Sequence, residues 1–135
     1  MEKINLDNLY EQASLAAEKS YSPYSKFRVG AALLAEDGSV FTGCNVENRS
    51  FGLSICAERS ALSRAVSDGR QRFAAIAIAT PDSDHPVGPC GACRQVLSEF
   101  MLPEAPVYFG GKGPERIETS IGNLLPYDSL HDLKC

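Results

Sequence analysis

The segments Cys56-Ala57-Glu58 and Pro89-Cys90-Gly91-Ala92-Cys93 bring three thiols and one carboxylate together at a spacing few folds produce. Three thiolates with an open fourth position describe a catalytic zinc. Structural zinc sites close their tetrahedron with four protein ligands, whereas hydrolytic sites stop at three so that water can bind. Glu58, two residues past Cys56, is placed to move protons. Two plainer readings compete. Cys90 and Cys93 could form a redox pair, although such motifs require neither Cys56 nor Glu58. Cys44 could instead close a four-thiolate structural site.

Hydrophobic periodicity supplies the frame around these residues. Leu6, Leu9, Tyr10, Ala13, Ala16 and Ala17 recur at helical spacing, and Ser22-Pro23 marks the predicted stop. Residues 27–35 read as a buried strand, Glu36-Asp37-Gly38-Ser39 as a turn and residues 40–46 as the returning strand of a hairpin. Residues 56–68 read as a helix with Ala57, Ala61, Leu62, Ala65 and Val66 on its buried face and Gly69 as its stop. A strand over 73–79, a helix from 90 to about 101 and a strand over 106–109 follow. A short strand near Ile117 and a helix near 120–125 complete the order α-β-β-α-β-α-β-β-α. That order predicts an α/β fold, a mixed sheet with helices on both faces. The absence of repeats or linkers predicts one domain over residues 1–135.

This frame puts Cys56 on the first turn of one helix and Cys90 with Cys93 on the first turn of the next. Unpaired N–H groups and the partial positive charge of a helix N-terminus favour the thiolate that binds metal. An i, i+3 pair shares one helical face, so Cys90 and Cys93 can reach a single ion. Three thiolates on Zn²⁺ leave a net charge of about −1, which weakens the metal as a Lewis acid. Arg59 is the candidate to offset that charge, and Gln95 the candidate for a further hydrogen bond to the site.

Composition narrows the partners. A net charge of −4 works against a nucleic-acid surface, which needs clustered Lys and Arg to neutralise phosphates. A small substrate is therefore expected. No apolar run approaches membrane-spanning length and the N-terminus interleaves charged with apolar residues, so the predicted location is cytoplasmic. Five cysteines without an export signal favour free thiols or metal ligands over disulfides, with Cys44 and Cys135 left unassigned. His85 and His131 lack ligand-like spacing.

Five segments carry a family resemblance in order along the chain: 22–27 (SPYSKF), 29–33 (VGAAL), 43–48 (GCNVEN), 56–59 (CAER) and 89–96 (PCGACRQV). With them the chain resembles the cytidine deaminases of the short, homotetrameric, three-cysteine zinc class. The resemblance implies a three-layer α/β/α sandwich with a mixed five-stranded sheet. It also implies one Zn²⁺ per chain on Cys56, Cys90 and Cys93, and hydrolytic deamination at C4 of cytidine and 2′-deoxycytidine with release of ammonia. Glu58 would take a proton from the attacking water, pass it to ring N3 and assist departure of the amino group. Asn45 and Glu47 would read the ribose 3′-hydroxyl, Phe27 and Val29 would hold the base, and the Ala57 backbone would meet the pyrimidine edge. A neighbouring subunit would complete each site of a homotetramer.

Without the resemblance, residues 45–48 would read as a polar turn, and Phe27 and Val29 as core. Three positions depart from the family pattern. Arg49 stands where a small residue is common, Phe51 where a tyrosine is common, and Ser129 where the tail usually carries a phenylalanine. Tyr127 lies two residues from that position. These departures leave open a deaminase of a modified or different base, such as an N4-substituted cytidine. A non-catalytic zinc module is the remaining alternative, one that would have no use for Glu58. Ammonia release separates it from an enzyme.

Overall fold

A computed structural model describes residues 3–133. Its elements are α1 (Leu6–Ala17), β1 (Gly30–Ala35), β2 (Val40–Cys44), α2 (Ala57–Ser67), β3 (Phe73–Ala79), α3 (Gly91–Phe100), β4 (Pro106–Gly110), β5 (Arg116–Ser120) and α4 (Ile121–Leu124). Two short 3₁₀ turns at Phe51–Leu53 and His131–Leu133 lack the repeat that would have announced them. The order of helices and strands is the one read from periodicity.

The strands form one five-stranded sheet in the order β2-β1-β3-β4-β5. It is mixed: β3 and β4 run parallel, while β1–β2, β1–β3 and β4–β5 are antiparallel. Helix α3 is the crossover that the parallel pair requires. One face carries α1, whose Leu9, Tyr10 and Ala13 pack on Ala32, Ala75 and Ala77. The other carries the α2 and α3 side, where Ala61, Leu62 and Leu97 meet Leu33, Ile76, Ile78 and Val107. These two apolar layers are the α/β/α sandwich.

Two glycines set how closely the helices lie. A Cβ on Gly30 would fall 1.9 Å from the Ala13 carbonyl oxygen of α1, and one on Gly43 would fall 2.4 Å from the Ala61 nitrogen of α2. Any side chain at either position lifts a helix off the sheet. At Gly43 the displaced helix is the one that begins beside Cys56.

Several element boundaries differ from the sequence reading. Helix α1 stops at Ala17, ahead of Ser22-Pro23, because its last turn tightens: Lys19 N–H donates to Ala16 O and Ser20 N–H to Ala17 O. Tyr21 is then drawn into backbone pairing with Asn45 and Glu47. The first strand begins at Gly30 and leaves residues 27–29 outside it, and the second ends at Cys44. Val66 is 38% exposed and lies beside the buried stripe of α2, which instead includes Glu58.

Candidate active site

Cys56 and Cys90 are the N-cap residues of α2 and α3, one position before the helical turns on which they were expected. Cys93 sits in the first turn of α3 and is fully buried. The caps differ in a way that suits the metal. Cys90 Sγ accepts from the Cys93 N–H at 3.5 Å, whereas Cys56 makes no side-chain cap and keeps its sulfur for other partners. The three sulfurs lie within 4.8 Å of one another, with Cys56 and Cys90 at 3.8 Å. Tetrahedral zinc with Zn–S bonds of about 2.3 Å separates its sulfurs by about 3.8 Å, so the donor set fits that ion. Cys44 is half-buried at the end of β2, is not in the cluster and forms no disulfide. Cys135 lies outside the described residues.

The electrostatics of the cluster point the same way. Glu58 is 4% exposed on the first turn of α2, and burial raises its pKa. Burial, followed by the negative charge of Glu58, pushes the Cys93 thiol well above its ordinary range. Burial also opposes the Cys90 thiolate, but hydrogen bonds from the Cys93 amide and the Cys93 and Cys56 thiols outweigh it and lower the pKa. Crowded groups of one sign cannot all ionise unless a cation joins them. Arg59 supplies one positive charge. Its Nη2 lies 3.4 Å from Cys56 Sγ, and hydrogen bonding to Cys56 is the first cause of its raised pKa. Gln95 turns along its own helix, its amide nitrogen 3.5 Å from Ser98 Oγ one turn on.

In front of the cluster lies a cavity of about 580 Å³, within the range of small-molecule sites. Its lining unites Phe27, Val29, Asn45, Glu47, Ala57 and Glu58 with Cys56 and Cys90. Every expected substrate residue is therefore on one wall or another. Asn45 is largely committed to its own chain: Oδ1 accepts from Val29 N–H at 2.9 Å and from Ser20 Oγ at 2.5 Å, and Nδ2 donates to Phe27 O at 2.9 Å. Glu47 accepts from the Tyr24 and Ser25 amides at 3.1 and 3.2 Å and from the Ser25 hydroxyl. The Ser25 hydroxyl is the first cause of its lowered pKa, which favours the carboxylate form of Glu47 at the cavity.

Phe51 lines the cavity and meets Tyr24 edge-on, with ring centroids 5.7 Å apart. Tyr127 is fully exposed, with a backbone φ of 55°, and lies beside Ser98, Pro103 and Ile121, away from this cavity. Ser129 is exposed. Sequence reasoning missed Thr80, which is 2% exposed, and Val87 and Gly88, which also line the cavity. A polar loop before Cys90 offers no periodic signal from which to find them.

A sequence model of the cytidine and deoxycytidylate deaminase zinc-binding region matches residues 3–109. A cytidine deaminase of Sporosarcina psychrophila is 47% identical over 123 residues, covering 91% of this chain and 90% of that protein. One from Halalkalibacterium halodurans is 49% identical over 118 residues, covering 87% and 89%. The crystal structure of the Burkholderia pseudomallei cytidine deaminase superposes with a TM-score of 0.87 at 48% identity, covering 92% of this chain and 98% of that one.

Proposed function

Because the chain belongs to the cytidine and deoxycytidylate deaminase zinc-binding family, we propose that it hydrolyses cytidine and 2′-deoxycytidine to uridine and 2′-deoxyuridine, releasing ammonia. The observation that carries this reading is a buried Glu58 on the same cavity as a three-sulfur cluster with zinc spacing. When held by Cys56, Cys90 and Cys93, zinc supplies the Lewis acidity that makes water a nucleophile near neutral pH. Glu58 takes a proton from the attacking water, delivers it to N3 and then serves the departing amino group. One molecule of water enters and one of ammonia leaves. Burial suits Glu58 to this cycle, since a desolvated carboxyl holds and releases protons closer to neutral pH than a solvated one.

Phe27 and Val29 give the base an apolar wall, and Ala57 places helix backbone at its edge. Glu47 accepts from the sugar hydroxyl, with Asn45 fixing the neighbouring backbone and keeping its second amide hydrogen for the ligand. Because these groups address the 3′ position, both cytidine and 2′-deoxycytidine are substrates and free cytosine is a poor one.

The cavity rim supports the homotetramer. Tyr24, Phe51 and Ile55 line the cavity and are 47%, 72% and 47% exposed, and neighbouring Leu53 is 69% exposed. Such an apolar rim is covered by another subunit. Residues 1–135 act as one unit in this proposal, in the cytoplasm. Among the described residues no helix is long and apolar enough to cross a membrane.

Initial rates on cytidine, 2′-deoxycytidine, cytosine, cytidine 5′-monophosphate and N4-substituted cytidines, followed by ultraviolet absorbance and ammonia release, test the proposal. Turnover of both nucleosides with little on cytosine supports it. A strong preference for the N4-substituted compounds would replace it with the modified-base reading that Phe51 and Ser129 leave open.

A further inference from the structure

Phe27 and Val29 line the cavity, yet neither belongs to a strand. The register explains what holds them. Gly30 opens β1 between Cys44 of β2 and Ala79 of β3, so residues 27–29 continue the line of β1 past the ends of both neighbours. On the β2 side, Asn45 replaces the missing strand. Its backbone N–H donates to Val29 O at 3.1 Å, and its side chain serves Val29 N–H and Phe27 O.

Extended backbone turns alternate N–H groups to opposite edges, so Arg28 N–H points toward the β3 side. There β3 has left: Thr80 N–H already donates to Gly110 O of β4, and Ser83 N–H closes a tight turn on Thr80 O at 3.0 Å. The carboxylate of Asp82, on that turn, fills the place. Its Oδ2 accepts from Arg28 N–H at 2.9 Å and from Nε at 3.0 Å, and its Oδ1 accepts from Nη2 at 2.8 Å. The turn is anchored in turn by Lys112 N–H, which donates to Ser83 O at 2.9 Å.

We propose that Asp82 is a positioning residue for substrate binding: its carboxylate stands in for a β3 backbone acceptor and fixes the Phe27–Val29 wall against the loop that carries Val87 and Gly88. The bond to the Arg28 backbone does this work. The guanidinium pair is partly exposed, at 43% for Arg28 and 28% for Asp82, and an ion pair in such surroundings is weak. Glu58 and the three cysteines sit at the starts of α2 and α3, outside the clamped segment, so the clamp acts on binding and leaves the chemical step alone.

The proposal rests on the deaminase reading for its kinetic test, and amide exchange tests it without that reading. In the wild-type protein the Arg28 amide should exchange as slowly as that of Val29. Asp82→Ala should abolish protection at Arg28 while leaving β1 protected and zinc content unchanged. It should raise KM for cytidine about tenfold with kcat within about twofold. Asp82→Asn keeps an acceptor oxygen and should raise KM about threefold, as should Arg28→Ala, which retains the backbone N–H.

Rapid exchange of the wild-type Arg28 amide would overturn the proposal even if no variant folds. So would an unchanged KM in Asp82→Ala, or an Arg28→Ala defect as large as that of Asp82→Ala, because the ion pair and not the backbone bond would then hold the wall. Wild-type protein inactive on cytidine but protected at Arg28 would refute the substrate reading and leave the clamp standing.

Discussion

Arg59 approaches Cys56 from one helical turn away, its Nη2 3.4 Å from the sulfur, while its Nε is buried with no hydrogen-bond partner. A buried donor nitrogen without a partner is costly, and a negative centre facing the guanidinium offsets that cost; three thiolates sharing one divalent ion would provide it. Arg59→Ala should therefore weaken zinc retention under chelator challenge and lower kcat. Arg94 makes a useful contrast. Its Nε donates to Pro89 O at 2.7 Å and its Nη1 to Leu124 O at 3.3 Å, tying the start of α3 to α4. Arg94→Ala should lower the melting temperature while zinc affinity stays near wild type. Equal zinc loss in the two variants would remove the charge argument.

Glu58→Gln tests proton transfer. The amide preserves the shape of the buried side chain but cannot accept and return a proton. Turnover should fall by about 10²- to 10⁴-fold with zinc content and fold intact. Single-turnover rates with metal analysis on the same sample check it. Near-normal turnover would remove Glu58 from the proton path.

Metal content should follow the sulfur geometry. Cys56→Ala, Cys90→Ala and Cys93→Ala should each lose zinc and activity together, because two thiolates cannot hold a site built for three. Cys44→Ala should retain one zinc per chain. Elemental analysis after dialysis gives the result, and zinc loss in the Cys44 variant would bring back the four-thiolate reading.

Acid stability has a defined sign. The Arg28 side chain, then its backbone N–H, holds the pKa of Asp82 at about 2 against 3.8 for a free side chain. Ser39, with Arg70 adding less, does the same for Asp37. Folded values below the unfolded one mean that these carboxylates contribute their full stability above pH 3.8 and lose it as pH falls toward 2. Denaturant titrations should show Asp82→Asn and Asp37→Asn less stable than wild type at pH 7, with the difference closing as pH approaches 2. A gap that widens in acid would contradict the shifts.

Periodicity made the order of elements legible because each helix or strand buries one face against the sheet. It failed at residues 27–29, where the alternation of a strand continues but the regular two-sided ladder does not. There Asn45 and Asp82 supply through side chains what a ladder supplies through main chain. Asp82, one of two aspartates in the run 80–89, carries no periodic mark, so its partner became visible only in three dimensions. The zinc ligands were the opposite case. Thiols at helix starts have a strong local reason to be there; Cys93 lies on the first turn as expected, and Cys56 and Cys90 sit one residue earlier because a cap lies just outside the turn it closes. Gln95 shows what a linear motif leaves out: one helix points neighbouring side chains in different directions, and this one faces Ser98.

The ligand-bearing helix starts are 34 residues apart in the chain, with β3 threaded between them as the central strand of the sheet. An ion held across that span closes a long loop and restricts the unfolded chain much as a covalent clip does. It also imposes an order of events. A growing chain that has not yet produced α3 offers only Cys44 and Cys56, and the parallel pairing of β4 to β3 waits for α3 to cross over. All three ligands precede β4, so the site waits for the start of α3 and closes a non-local contact without needing β4 or β5 in place.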